Sequence, residues 1–143
     1  MTRPSPDGPL ALLPSTHSPE IAARFAYSYG VAHGDVVWIS GQVALRDGQV
    51  QGVGDVAAQT QLVFDNLEAI VREAGGDLAD LVETTTYVTD RAHLAAVNEV
   101  RASRLTGPVP PTSTLLVVAG LARPEFLVEI SATAVIRGEK EKA

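Results

Sequence analysis

The chain contains no cysteine. That removes disulfides, thiol nucleophiles and thiolate metal sites at once, and it makes a reducing cytoplasm the expected home. No apolar run approaches the ~20 residues that a membrane-spanning helix requires. No signal-peptide core is expected either, because the short stretch Leu10–Leu13 is bracketed by Pro9 and Pro14. Positive charge is scarce: 11 Lys and Arg face 17 Asp and Glu, for a net charge of −6. Nucleic-acid affinity rests on Lys and Arg neutralising phosphates, and here the basic residues are scattered. Only Lys140 and Lys142 lie close together, interleaved with Glu139 and Glu141. A nucleic-acid partner is therefore not expected. His17, His33 and His93 show no metal-ligand spacing and read as surface residues. The glycines form neither a G-x-G-x-x-G fingerprint nor a P-loop, and no Gly-x-Ser-x-Gly elbow is present. Metal ions and nucleotide cofactors have no support.

What remains is a chain of 143 residues, 45% of them hydrophobic, which fits one domain with a real core. Residues 1–19 hold five of the nine prolines and read as an extended arm, free or laid on a neighbouring subunit. Residues 20–138 read as the single domain and 139–143 as a charged tail.

Within the domain, Tyr27–Ala32 and Val36–Val43 are β-rich, and His33-Gly34-Asp35 between them predicts a hairpin. Asp47-Gly48 is a second turn signal, with a short strand expected at Gln49–Val53. Asp55 is placed to cap a helix whose apolar face is Val56, Thr60, Val63, Leu67, Ile70, Val71 and Ala74, ending at Gly75-Gly76. Val82–Thr89 reads as a strand. Asp90 caps a second helix with Leu94, Val97, Val100 and Leu105 on its buried side, and Gly107–Pro111 breaks it. Final strands are expected at about 112–119 and 126–137. The order is β-β-β-α-β-α-β-β, an α+β fold in which two helices cover one face of one sheet. The last strand presents Phe126, Val128, Ile130, Ala132, Ala134 and Ile136 on one wholly apolar face. Its other face is mixed: Leu127, Glu129, Ser131, Thr133 and Val135. A mixed face of this kind suits a subunit contact that contains a polar site.

Several short segments occur in an order that resembles the Rid family (reactive intermediate deaminases, YjgF-like). They are Tyr27-Ser28, Ser40-Gly41-Gln42, Asn66, Ala74-Gly75, Thr86–Asp90, Val97-Asn98-Glu99, Pro111 with Thr114, and Val128-Glu129-Ile130. The resemblance runs from about residue 24 to 136. It implies a chorismate-mutase-like fold assembled as a homotrimer around a central barrel, with small-molecule clefts between subunits. It also implies hydrolysis of enamines or imines. Chorismate-mutase chemistry itself would be fold analogy only. Family proteins often carry a ribonuclease label, which the charge balance opposes.

The resemblance assigns roles residue by residue. Glu129, an acid in a strand of Leu, Val and Ile, matches the glutamate that places the attacking water; the alternative is a structural carboxylate held by backbone N–H groups or an arginine. Tyr27 matches a cleft tyrosine able to hydrogen-bond substrate. Ser28, Thr112, Ser113, Thr114 and Leu115 are the implied substrate-contacting positions. One of them departs from the pattern: the family's Pro-x-Arg-Ser/Thr segment carries an arginine where this chain has Ser113. A single hydroxyl does not reproduce the two parallel charge-assisted bonds of a guanidinium on a carboxylate. Arg24, Arg101 and Arg123 are candidate substitutes. The second acid of the family's last strand is Ser131 here, and Phe25 and Tyr29 are bulkier than the residues usual beside Tyr27. The sequence thus leads to an enzyme acting on an altered enamine, imine or related electrophile, with a non-catalytic binding or protein-stabilising trimer as the alternative.

Overall fold

The computed structural model describes residues 8–137. The expected charged tail and the first residues of the arm lie outside them. The elements in chain order are β1 (Leu10–Leu12), α1 (Pro19–Phe25), β2 (Gly30–His33), β3 (Val36–Gln42), β4 (Leu45–Arg46), β5 (Gln49–Val50), α2 (Val56–Glu73), β6 (Leu81–Val88), α3 (Leu94–Arg104), β7 (Thr112–Val117) and β8 (Val128–Val135). Six strands form one mixed sheet in the order β1-β2-β3-β8-β6-β7. All pairs are antiparallel except β6 with β7, and the parallel pair has α3 as its crossover. The α+β class, with α2 and α3 on one face of the main sheet, agrees with the sequence reading, and α1 is an additional helix.

Helix α2 forms where the apolar spacing places it. The Asp55 carboxylate accepts from Ala58 N at 3.0 Å, satisfying a first-turn donor. Gly75, with φ 91°, turns the chain away at the other end. Val63, Phe64, Leu67, Ile70 and Val71 are fully buried against the sheet. Each such side chain contributes about 1.5–3 kcal/mol of burial. The sheet meets them with Val128, Ile130, Ala132 and Ala134 of β8, all buried, whereas Glu129, Ser131 and Thr133 alternate onto the open face.

Four local readings differ from the structure. The arm does not stay apart: Leu10–Leu12 pairs with the chain's own β2, and Leu12 is buried. The segment Pro19–Phe25 is helical, because the Ser18 hydroxyl accepts from Ile21 N at 3.2 Å and Pro19 sits where a helix needs no N–H. That helix ends at Ala26 in the left-handed region, so the first long strand starts at Gly30 and not at Tyr27. The Asp47-Gly48 turn has positive φ at both residues, as a two-residue hairpin loop demands. Its strand, however, covers only Gln49–Val50 and pairs with Leu45–Arg46 in a separate ribbon.

Candidate functional site

The site is built around a register slip. β3 pairs Ile39 with Ala132 and Gln42 with Ile130, so Ser40 and Gly41 together face Ser131. Such a bulge bends its strand and re-aims the residues beside it. Gly41 then lies directly beneath the side chain of Glu129. A Cβ added at Gly41 would fall 2.7 Å from Glu129 Cδ and 2.9 Å from Cγ. Glycine is there to make room for the carboxylate. Across β6, Tyr87 is the register partner of Glu129. The carboxyl group is partly buried, and desolvation raises its pKa above the ordinary glutamate value.

Glu129 and Gly41 border a pocket of about 630 Å³. Tyr27 enters it from the turn after α1, Glu20, Arg24 and Phe25 from α1 itself, and Arg123 and Phe126 from the segment before β8. The Tyr27 ring packs edge-on against Tyr29 at 5.4 Å, and Tyr29 packs edge-on against His17 at 4.5 Å. The Tyr29 hydroxyl donates to Ser18 O at 2.8 Å, and its pKa is pushed up to about 12, first by burial and then by the adjacent Tyr27 phenol. His17 is not the surface residue expected. Its Nε2 lies 2.8 Å from Gln42 Oε1, and burial lowers its pKa, which favours the neutral ring. The three rings form a wall that fixes Tyr27 from behind.

The residues singled out in the sequence therefore divide. Glu129 and Tyr27 share the pocket. Ser28 lies past Tyr27 and lines a neighbouring hollow of about 380 Å³, its carbonyl accepting from the Ser40 hydroxyl at 2.6 Å. Thr112, Ser113, Thr114 and Leu115 sit on edge strand β7, separated from β8 by β6, and do not line the pocket. Thr114 is aligned with Thr85, and Thr85 with Ser131, giving a row of hydroxyls across the open face. Ser113 and Leu115 share the opposite face with Thr84 and Thr86 but are exposed at the edge. Of the three candidate arginines, Arg24 and Arg123 line the pocket. Arg101 is on α3, where one guanidinium nitrogen is buried without a hydrogen-bond partner. The sequence reading missed Phe126 as a wall residue and α1 as the carrier of the rim; the Ser18-Pro19-Glu20 start signal was the available clue. Among the described residues, no three His, Asp or Glu side chains converge as a metal-ligand set.

Residues 17–136 match the profile of the family described as Endoribonuclease L-PSP. Protein DfrA of Myxococcus xanthus is 34% identical over 122 residues, spanning 85% of this chain and 92% of that protein. The crystal structure of a YjgF/YER057c/UK114 family member from Mycobacterium tuberculosis superposes with a TM-score of 0.76 at 31% identity, over 90% of this chain and 100% of that one. RidA from the Antarctic bacterium Psychrobacter sp. gives a TM-score of 0.71 at 34% identity, over 77% and 88% of the two chains.

Proposed function

This chain belongs to the Endoribonuclease L-PSP family, the YjgF/Rid family, and from that premise we propose that it processes a small enamine, imine or related electrophilic metabolite. The observation that carries the reading is the Glu129 carboxyl group, partly desolvated over Gly41 and in one pocket with Tyr27. A carboxylate with a raised pKa is a better proton acceptor, and partial burial keeps bulk water from competing for it. In the proposed step, Glu129 takes a proton from water as the water oxygen bonds to the C=N carbon. The C=N π pair moves to nitrogen, which takes that proton back from Glu129 to give the neutral carbinolamine. As the carbinolamine collapses, its hydroxyl gives its proton to Glu129, the C=O bond forms, the C–N bond breaks, and the nitrogen leaves with that proton as the amine. Tyr27 holds the ligand through its phenol.

The proposed assembly is a homotrimer. Edge strand β7 is exposed along its whole length, and Trp38, Leu116 and Val82 are each 43–50% exposed on a chain whose helices cover only one face. A neighbour's β7 would bring Thr112, Ser113, Thr114 and Leu115 to a pocket that one chain leaves open. Despite the family's descriptive name, an RNA substrate is opposed by the net charge of −6. The altered substrate follows from Ser113, which lacks the guanidinium clamp. The same residue favours the second reading, a trimer that binds a small molecule without turning it over.

The test is a steady-state assay on imines generated in situ by an amino-acid oxidase, scored by acceleration of imine loss. Saturable acceleration by the wild-type protein supports the enzyme reading. Ligand binding in thermal-shift screens with no acceleration of any imine supports the binder.

A further inference from the structure

The pocket beside Glu129 contains two guanidinium groups that form no ion pair among the described residues. Among the described residues, the ion pairs are Arg72–Glu68, Arg104–Asp65 and Arg137–Asp80. Neither Arg24 nor Arg123 takes part in one. Each guanidinium is instead held over an aromatic face: Arg24 lies 5.3 Å from the Phe25 ring centroid and Arg123 5.9 Å from that of Phe126. Arg123 also donates a long hydrogen bond of 3.5 Å to Gly48 O, at the hairpin tip. Stacking of this kind orients the planar fork while leaving its in-plane N–H donors available.

Two acids share the pocket. Glu20 accepts from the Ser18 hydroxyl at 3.1 Å, at the start of α1. Glu129 is shifted by burial alone, with no arginine among the causes. Neither acid forms an ion pair with Arg24 or Arg123 among the described residues. Apart from the Tyr27 phenol, the rest of the lining is largely apolar, from Ile21, Phe25, Val43, Leu45 and Phe126.

We propose that Arg123, assisted by Arg24, is the anion-binding pole of this cleft, and that the ligand is a carboxylate with an apolar body whose reactive carbon lies toward Glu129. This inference rests on the proposed use of the same pocket, but it relocates the carboxylate grip from the β7 segment, where Ser113 stands, to residues of the chain that carries Glu129. The cavity of about 630 Å³ has room for an aromatic or branched body well beyond a three-carbon imino acid.

Binding of two unreactive probes, 3-phenylpropionate and its neutral amide, by calorimetry separates this idea from the catalytic one. Wild-type protein should bind the carboxylate about 10- to 100-fold more tightly than the amide, the range expected for charge-assisted hydrogen bonds. Arg123→Gln should remove most of that preference, and Arg123→Gln with Arg24→Gln all of it. Arg72→Gln, on the outer side of α2, is the control and should change nothing. Glu129→Gln should keep the preference, and wild-type turnover in that variant with intact carboxylate selectivity would count against the catalytic reading alone. Failure to bind the carboxylate at all, or a preference that survives the double variant and disappears in Ser113→Ala, overturns the assignment.

Discussion

Gly41→Ala is a substitution of one methyl group that should act almost entirely on function. The added Cβ would stand 2.7 Å from Glu129 Cδ and 2.9 Å from Cγ. Carbon atoms in contact settle at about 3.5–4.0 Å, so the carboxyl group must retreat by roughly 1 Å. Gly41 does not lie in the left-handed region, so the backbone itself accepts alanine. The yielding group is the end of a flexible side chain, and an off-rotamer shift costs about 0.5–1.5 kcal/mol. That corresponds to a fall in Tm of only a few degrees, about 2–8 °C per kcal/mol across domains of ordinary size. Catalysis is far less tolerant, because a displacement of about 1 Å at a reacting group costs ~100-fold. The assay is kcat/KM on the best imine found, beside a Tm by differential scanning calorimetry. Ile70→Val, fully buried under the sheet, serves as a control of similar stability cost, about 0.5–1.5 kcal/mol, with turnover preserved. If Gly41→Ala loses the expected stability yet turns over normally, the position of the Glu129 carboxylate does not matter to the reaction.

Three further predictions follow from the same geometry. Burial raises the pKa of Glu129 above the ordinary glutamate value, so the folded state holds that proton to higher pH than the unfolded chain does. Its contribution to stability is therefore complete below the ordinary glutamate range and is lost as pH rises through the folded pKa. Glu129→Gln should match wild type in Tm at low pH and exceed it above that window; a gain confined to acid pH would contradict the desolvation argument. Little hydrolysis of 2-iminopropionate is expected, because a three-carbon imine leaves the apolar part of a cavity of about 630 Å³ unfilled, and Ser113→Arg should increase it by adding a second grip on the carboxylate; a wild-type rate equal to that of an arginine-bearing relative would show that an apolar body is not needed. Multi-angle light scattering should give three times the 15.0 kDa chain mass, and a monomer at every concentration would remove the intersubunit cleft.

Much of the fold was legible because its signals are local and redundant. In α2, the Asp55 cap, the apolar spacing and the terminal glycines all point to one helix. In β8, strict alternation assigns Val128, Ile130, Ala132 and Ala134 to the core and leaves Glu129 outside it. The N-terminal region misled for a physical reason: proline breaks helices in their interior but is accommodated in the first turn. The prolines suggest an extended arm, whereas Ser18-Pro19 begins α1. The site was legible only in part. Glu129 and Tyr27 could be paired through the family resemblance, but the bulge that seats Glu129 over Gly41 depends on the register of β3 against β8. No pattern within either strand records that register. The closeness of Arg24 and Arg123 is likewise a property of tertiary structure, since 98 positions separate two residues that line one pocket. Nor does alternation reveal that Thr112–Leu115 lie across the sheet from Glu129, because that depends on β6 pairing between β7 and β8.

The central claim is that Glu129 moves a proton, and Glu129→Gln tests it most directly. The amide keeps the shape and the hydrogen-bonding capacity of the side chain but cannot accept a proton from water. With the best imine substrate, the variant should lose ~100-fold or more in kcat, with the trimer intact and the carboxylate probe still bound. A glutamine variant that turns over at the wild-type rate would contradict the account.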